Sequence, residues 1–275
     1  MRLTQPAATM ARFSCWESTA VPLSTNTAGA PHLLRTTMGN LDSTLLEQGI
    51  YSLPQASRLV GVPLPKVRRW MKGGVVRRRG ETDLVLEPLW CPRLPAMDGQ
   101  VALSFLDLME LRLVHLLIDQ HDMRLPKVRE CIYGWRRFAD RYPYPLINRK
   151  VDLFTAGSSL KARLHGEDGI FDLTTMQYVM GEILRLRELD LDYDGRDLPT
   201  CWWPRGRDGL IVVDPHVEFG DPVTREGHVP TRAIAVAVGA EGSEARVARM
   251  YRIEEHAVRA AVEFEKGLRA GKAAA

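Results

Sequence analysis

Cysteine is scarce in this chain: four residues among 275, at Cys15, Cys91, Cys131 and Cys201. None forms a Cys-x-x-Cys pair, and none has histidine at ligand spacing. That pattern excludes the common zinc modules and a dense disulfide scaffold, and the four read as reduced cytosolic thiols, with Cys131 in a core. Long apolar runs are missing too. No stretch of about 18 such residues occurs, so no membrane span is expected. Catalytic signatures are equally absent. The chain lacks a Gly-x-x-x-x-Gly-Lys-Ser/Thr phosphate loop, a Gly-x-Ser-x-Gly elbow and a His-Glu-x-x-His pair. Of the scattered histidines, His165 comes nearest to a cluster, beside Glu167 and Asp168, but it falls in an expected hairpin turn where polar residues are ordinary. Asp214 and Asp221 adjoin prolines and read as turn residues. Asp190, Asp192 and Asp194 alternate as in an exposed strand, lack the Gly and Glu of a calcium loop, and read as a solvated edge or a surface for a basic partner. The expectation is therefore a cytoplasmic protein that is not an enzyme, with no catalytic residue, cofactor or metal.

Charge is present but unevenly placed. The formal net charge is only +3. Residues 51–80 nevertheless hold eight Lys or Arg and no Asp or Glu, while residues 151–200 hold five basic and ten acidic residues. Residues 201–275 hold eleven of each sign. A short basic segment of this kind points to a polyanionic partner.

Four regions emerge. Residues 1–45 are rich in Thr, Ser, Ala and Pro, without hydrophobic periodicity or the apolar core of a signal peptide, and read as a disordered leader. Residues 46–143 hold a compact helical pair, a hairpin at 75–87 and two apolar helices at about 104–119 and 126–140. The last of these carries Val128, Cys131, Ile132, Trp135 and Ala139 at helical spacing. Residues 144–208 read as a mixed connector, with a hairpin around Leu160–Leu173 and a helix at about 175–188. Residues 209–270 begin with a short strand at Leu210–Val213 and continue as three helices, at about 230–239, 243–251 and 255–269. Thr231 is expected to cap the first of these and Ser243 the second, and Ala257, Ala261, Phe264 and Leu268 form one face of the third. The fold class is mainly α with small β hairpins.

The basic segment has a definite layout. Ser52-Leu53-Pro54-Gln55 fits a capping box, and Leu53, Ala56, Leu59 and Val60 give the helix an inner side. Gly61-Val62-Pro63 forces a tight turn. A second helix at about Leu64–Met71 should bury Val67, Trp70 and Met71 and present Lys66, Arg68, Arg69 and Lys72. Arg77, Arg78 and Arg79 fall near the hairpin tip, placed to reach phosphates or a minor groove. These seven cations are the expected DNA-binding residues, with the second helix in the major groove.

Two resemblances add to this reading. Tyr51 to Pro63, Val67-Arg68-Arg69-Trp70 and the following hairpin resemble the MerR-type winged helix-turn-helix. Phe105 to Leu111 and Leu125 to Arg129 are similar to that family's later helices, so the similarity covers about 50–140. The long dimerisation helix and the metal-sensing cysteines of the family are missing, so metal sensing is not carried over. The second resemblance runs over about 210–268, on Val213-Asp214-Pro215, Phe219-Gly220-Asp221-Pro222, Val229-Pro230-Thr231, Val247 to Tyr251 and Val258 to Glu265. These look like the small three-helix domain of VapB-type antitoxins. The implied function is a type II antitoxin that represses its own operon. Its implied partners are operator DNA, a PIN-like ribonuclease toxin and a second copy in a homodimer. A free-standing MerR-like regulator with an unknown effector, and a protein-interaction adaptor, are the alternatives.

Overall fold

Local capping chemistry decides where the first helices begin and end. In the computed structural model, which describes residues 49–77, 84–138, 144, 146–156, 159–164, 170–173, 177–179, 184–185 and 190–271, the Ser52 capping box is formed. The Ser52 side chain accepts from the Gln55 amide at 3.4 Å, and Gln55 Oε1 accepts from the Ser52 amide at 2.9 Å. Helix α1, Leu53–Val60, stops at Gly61, whose φ of 76° suits glycine. The Ser57 hydroxyl donates to the Val62 carbonyl at 2.6 Å and pins the turn. Helix α2, Leu64–Lys72, follows. Strand β1, Tyr51–Ser52, pairs antiparallel with a later strand, β4 (Ala102–Leu103), and between them β2 (Gly74–Val76) and β3 (Leu84–Leu86) make an antiparallel hairpin.

Helix α3, Phe105–Asp119, is capped by Ser104 and Asp107 and is buried on several sides, as the breadth of its apolar stripe requires. The Asp107 carboxylate also accepts from Trp90 Nε1 at 3.0 Å. Arg112 of α3 stacks over the Trp202 ring at 5.0 Å. Helix α4, Leu125–Phe138, buries Val128, Cys131 and Ile132. The Trp135 side chain and Ala139 lie outside the described residues.

The middle of the chain departs from expectation. The helix expected at about 175–188 is replaced, where described, by strands β8 (Gln177–Val179) and β9 (Leu184–Arg185). With β5 (Val151–Ala156), β6 (Ser159–Leu164) and β7 (Ile170–Asp172) they form an antiparallel sheet of order β8-β7-β6-β5-β9. Tyr178 and Val179 favour strands, and pairing with β7 overrides the helical propensity of their neighbours. The hairpin expected around Leu160–Leu173 is present as β6–β7. His165, Glu167 and Asp168 lie outside the described residues.

The acidic run is used inside the fold. Strand β10, Leu191–Tyr193, pairs with β11, Pro199–Trp202. Asp192 accepts from Trp203 Nε1 at 2.7 Å and pairs with Arg207 at 2.7 Å. Asp194 accepts from the amides of Arg196 and Leu198, so it organises a turn instead of guarding a solvated edge. Asp214 is likewise a turn residue, accepting from the His216 amide at 2.9 Å.

Strands β12 (Ile211–Val212) and β13 (Val223–Thr224) lead to α5 (Thr231–Glu241), α6 (Glu244–Tyr251) and α7 (Glu255–Arg269). Ser243 caps α6 as expected. Thr231 does not cap α5: Pro230 holds that position, and the buried Thr231 hydroxyl donates to Glu265 Oε1 of α7 at 2.6 Å. Ala257, Ala261, Phe264 and Leu268 are buried along α7.

This last region packs against the first. The buried Tyr51 hydroxyl donates to the Gly220 carbonyl at 2.9 Å, the Ile50 amide donates to Phe219 O at 3.1 Å, and α1 touches α7. The architecture is thus α-rich and mixed, with seven α-helices and five antiparallel sheets among the described residues. No helix among them is long and apolar enough to cross a membrane. Cys91 is disulfide-bonded, against the expectation of four reduced thiols, because spacing along the chain does not limit which sulfurs meet in space. Burial, with Asp214 beside it, pushes the Cys201 thiol up to about 12.

The joint at Tyr51 is tight. A methyl group on Gly220, whose φ is 87°, would lie 2.1 Å from the Tyr51 hydroxyl. Tyr51→Phe should lower unfolding free energy by about 1–3 kcal/mol, because a buried carbonyl loses its donor. Gly220→Ala should cost more than that, through both the clash and the left-handed backbone. Urea unfolding followed by circular dichroism measures both.

Candidate nucleic-acid interface

Helix α2 is fastened along one side. Val67, Trp70 and Met71, at i, i+3 and i+4, are all buried. The opposite ridge is Pro65, Arg69 and Lys72, at i, i+4 and i+7, with Lys66 and Arg68 on its flanks, and all five are exposed. Arg69 therefore stands at the middle of the outward ridge. Lys66 and Arg68 lie on either side of it.

The hairpin is fixed to the end of this helix. Gly73 closes α2 at φ 70°, and a methyl group there would lie 2.2 Å from the Leu86 carbonyl oxygen. The Leu89 amide donates to Trp70 O at 2.7 Å, so the chain leaving the hairpin is tied to the anchor residue itself. Arg77, directly after β2, is exposed. Arg78 and Arg79 lie outside the described residues.

Electrostatics follow from this layout. Among the described residues, none of Lys66, Arg68, Arg69, Lys72 or Arg77 forms an ion pair with a carboxylate. The field reaches α3: burial, opposed by Asp119 and joined by Lys66 and Arg112, holds the His115 imidazole below its ordinary value. Arg58, although part of the basic segment, is half-buried and acts on Asp221 of the C-terminal region instead. Burial raises the Asp221 pKa, and the charges of Arg58 and Arg232 oppose that rise.

The chemistry of this face is that of exposed cations, which can pair with anions. It offers ammonium and guanidinium donors on a rigid helix and on a short ribbon, a combination suited to phosphates and base edges. Among the described residues, no group of three or more His, Cys, Asp or Glu is placed to hold a metal. The structure therefore brings together five of the seven residues singled out by sequence. It also shows two the sequence reading left unassigned, Val75 and Val85, which stand opposite each other on the ribbon and are exposed. Only the strand register pairs them.

No protein-family model matches the chain, and no curated protein matches it. The crystal structure of Rv2018 from Mycobacterium tuberculosis is similar, with a TM-score of 0.52 and 17% sequence identity, over 77% of this chain and 96% of that one. A likeness at this identity concerns the fold alone.

Support and exposure should separate in mutants. Trp70→Ala removes a side chain only 2% exposed and should destabilise by about 3–5 kcal/mol. Arg69→Ala, on the outward ridge, should change stability by no more than about 0.5 kcal/mol. Thermal and urea unfolding of the two variants check this contrast.

Proposed function

We propose that the chain is the DNA-binding antitoxin of a type II toxin–antitoxin pair, repressing its own operon and neutralising a PIN-like ribonuclease. The observation that carries the DNA half is an exposed helix whose cations have no carboxylate partner among the described residues, held from behind by Val67, Trp70 and Met71. With the hairpin at its side, this arrangement supports a MerR-like winged helix-turn-helix in which α2 enters the major groove. Arg69 then reads base edges, by the bidentate geometry that guanidinium offers guanine. Lys66, Arg68, Lys72 and Arg77 neutralise phosphates and displace counterions. Homodimerisation would present two such helices to paired half-sites.

The antitoxin half rests on the resemblance of residues 210–268 to VapB-type units. Their three helices are packed on one another, with Ser243 capping α6 and Ala257, Ala261, Phe264 and Leu268 buried along α7. The balanced charge of residues 201–275 favours protein contacts there over phosphate contacts.

Gel-shift titration on the DNA upstream of the gene tests the reading. Affinity should fall steeply with salt, and Arg68→Ala/Arg69→Ala should weaken binding by on the order of ten- to a hundred-fold. Arg68→Ala alone should weaken all sequences alike and flatten the salt slope by about one, whereas Arg69→Ala should relax sequence preference. Co-purification with the product of an adjacent PIN-like nuclease gene tests the second half. Binding unchanged by the double substitution would sink the assignment of α2.

A further inference from the structure

Helix α5 is apolar on every side. From Ala233 to Ala240 it carries no charge and no hydrogen-bonding side chain. A helix of that kind is ordinarily enclosed. Here one side is covered: Thr231 and Ile234 are buried, Ala237 and Val238 pack on the core, and α7 runs beside them. The other side is bare. Val236 is 60% exposed, and Arg232, Gly239 and Ala240, at i−4, i+3 and i+4 from it, are exposed around it. A methyl group on Gly239 would meet nothing within 4 Å, so the space beside this glycine is open in the single chain. Glycine there costs the helix about 1 kcal/mol against alanine and allows another backbone to come close.

The charges at the two ends of this face decide what it fits. Arg232, at the amino end, forms no ion pair among the described residues, and its charge acts on Asp221. At the other end stand Glu241, paired with Arg246 at 2.9 Å, and the last carbonyls of the helix, which carry the negative end of its dipole. A duplex would find a single cation here. A ribonuclease, whose RNA-binding surface is cationic, would find no anion at the centre. A second α5 answers the whole face. With a two-fold axis at Val236 the helices run antiparallel, Val236 meets its own counterpart and Gly239 meets Ala233. Arg232 of one copy then falls opposite Ala240 of the other, beside Glu241 and the carbonyl end.

We propose that this face of α5 is the contact through which two copies of the chain pair. The inference rests on the homodimer named above and gives it a surface, and it does not depend on DNA binding. Two helices of eleven residues bury less than the roughly 1,200 Å² of a standard interface, so the pairing is reversible, with a dissociation constant on the order of 1–100 μM.

The test uses the full chain. Sedimentation velocity across that range should show a monomer passing into a dimer. Gly239→Arg fills space that is open in one copy, and Val236→Glu sets a charge at the centre of the face. Each should keep the parent's circular dichroism and weaken pairing by at least roughly ten-fold. Val236→Leu keeps the centre apolar and should pair as the parent does. With Val236→Cys, a short bismaleimide should join two copies, whereas Val85→Cys, more exposed but on the ribbon, should give no joined product beyond the parent's. A parent chain that stays monomeric throughout would overturn the assignment. So would undiminished pairing of Gly239→Arg and Val236→Glu, and if those variants also lose an adjacent nuclease on co-purification, the face belongs to that partner. A parent chain that dimerises yet fails to shift DNA at low salt would sink the DNA reading and leave this contact standing.

Discussion

A helix of nine residues cannot persist alone in water, because nucleation is unfavourable and too few hydrogen bonds follow it. Helix α2 exists because Val67, Trp70 and Met71 are taken out of solvent on one side. That single constraint orients everything else on it. With three positions committed inward, helical geometry leaves Pro65, Arg69 and Lys72 pointing away and Lys66 and Arg68 at the flanks. The tie from the Leu89 amide to the Trp70 carbonyl extends the same support to the hairpin. Exposure of the cations is thus a consequence of burial behind them.

Concentrating positive charge on one short face has an energetic logic. Exposed like charges repel only weakly in water and less in salt, so the folded chain tolerates them. Carboxylates paired to them would have neutralised the face, and none of the described ion pairs does so. The ion pairs lie on other elements, as in Arg246–Glu241, Arg259–Glu244 and Arg207–Asp192. Among the described residues, the anionic side chains therefore pair with cations other than those of α2.

How far the sequence reveals this depends on the range of each interaction. The Ser52 box, the Gly61 turn and the faces of α1, α2 and α7 are set by residues within a turn of each other, and the structure has them as read. Ser243 caps α6 for the same reason. Thr231 fails as a cap because its partner, Glu265, lies 34 residues away. The helix expected over 175–188 fails because a strand pairing with Ile170–Asp172 outcompetes local propensity. Within the candidate site, the cations are legible as a charge cluster, whereas the facing of Val75 and Val85 depends on a strand register that composition does not carry. The α-rich, mixed architecture was legible in outline, and the five-stranded sheet was not.

The bond from Tyr51 to Gly220 spans 169 residues and joins the entry of the first helix to the loop before the last three. Around it, Gly49 approaches Pro215, and the Ile50 amide is held by Phe219. A boundary drawn near residue 209 is therefore a seam in sequence and not a hinge in space. Cutting the chain there would strip the cover from an aromatic ring and leave its hydroxyl to water, so the leading segment is not a portable module. A change at Tyr51 or at Gly220 must therefore be matched on the other side of the clasp if the entry of α1 and the loop before α5 are both to keep their shape.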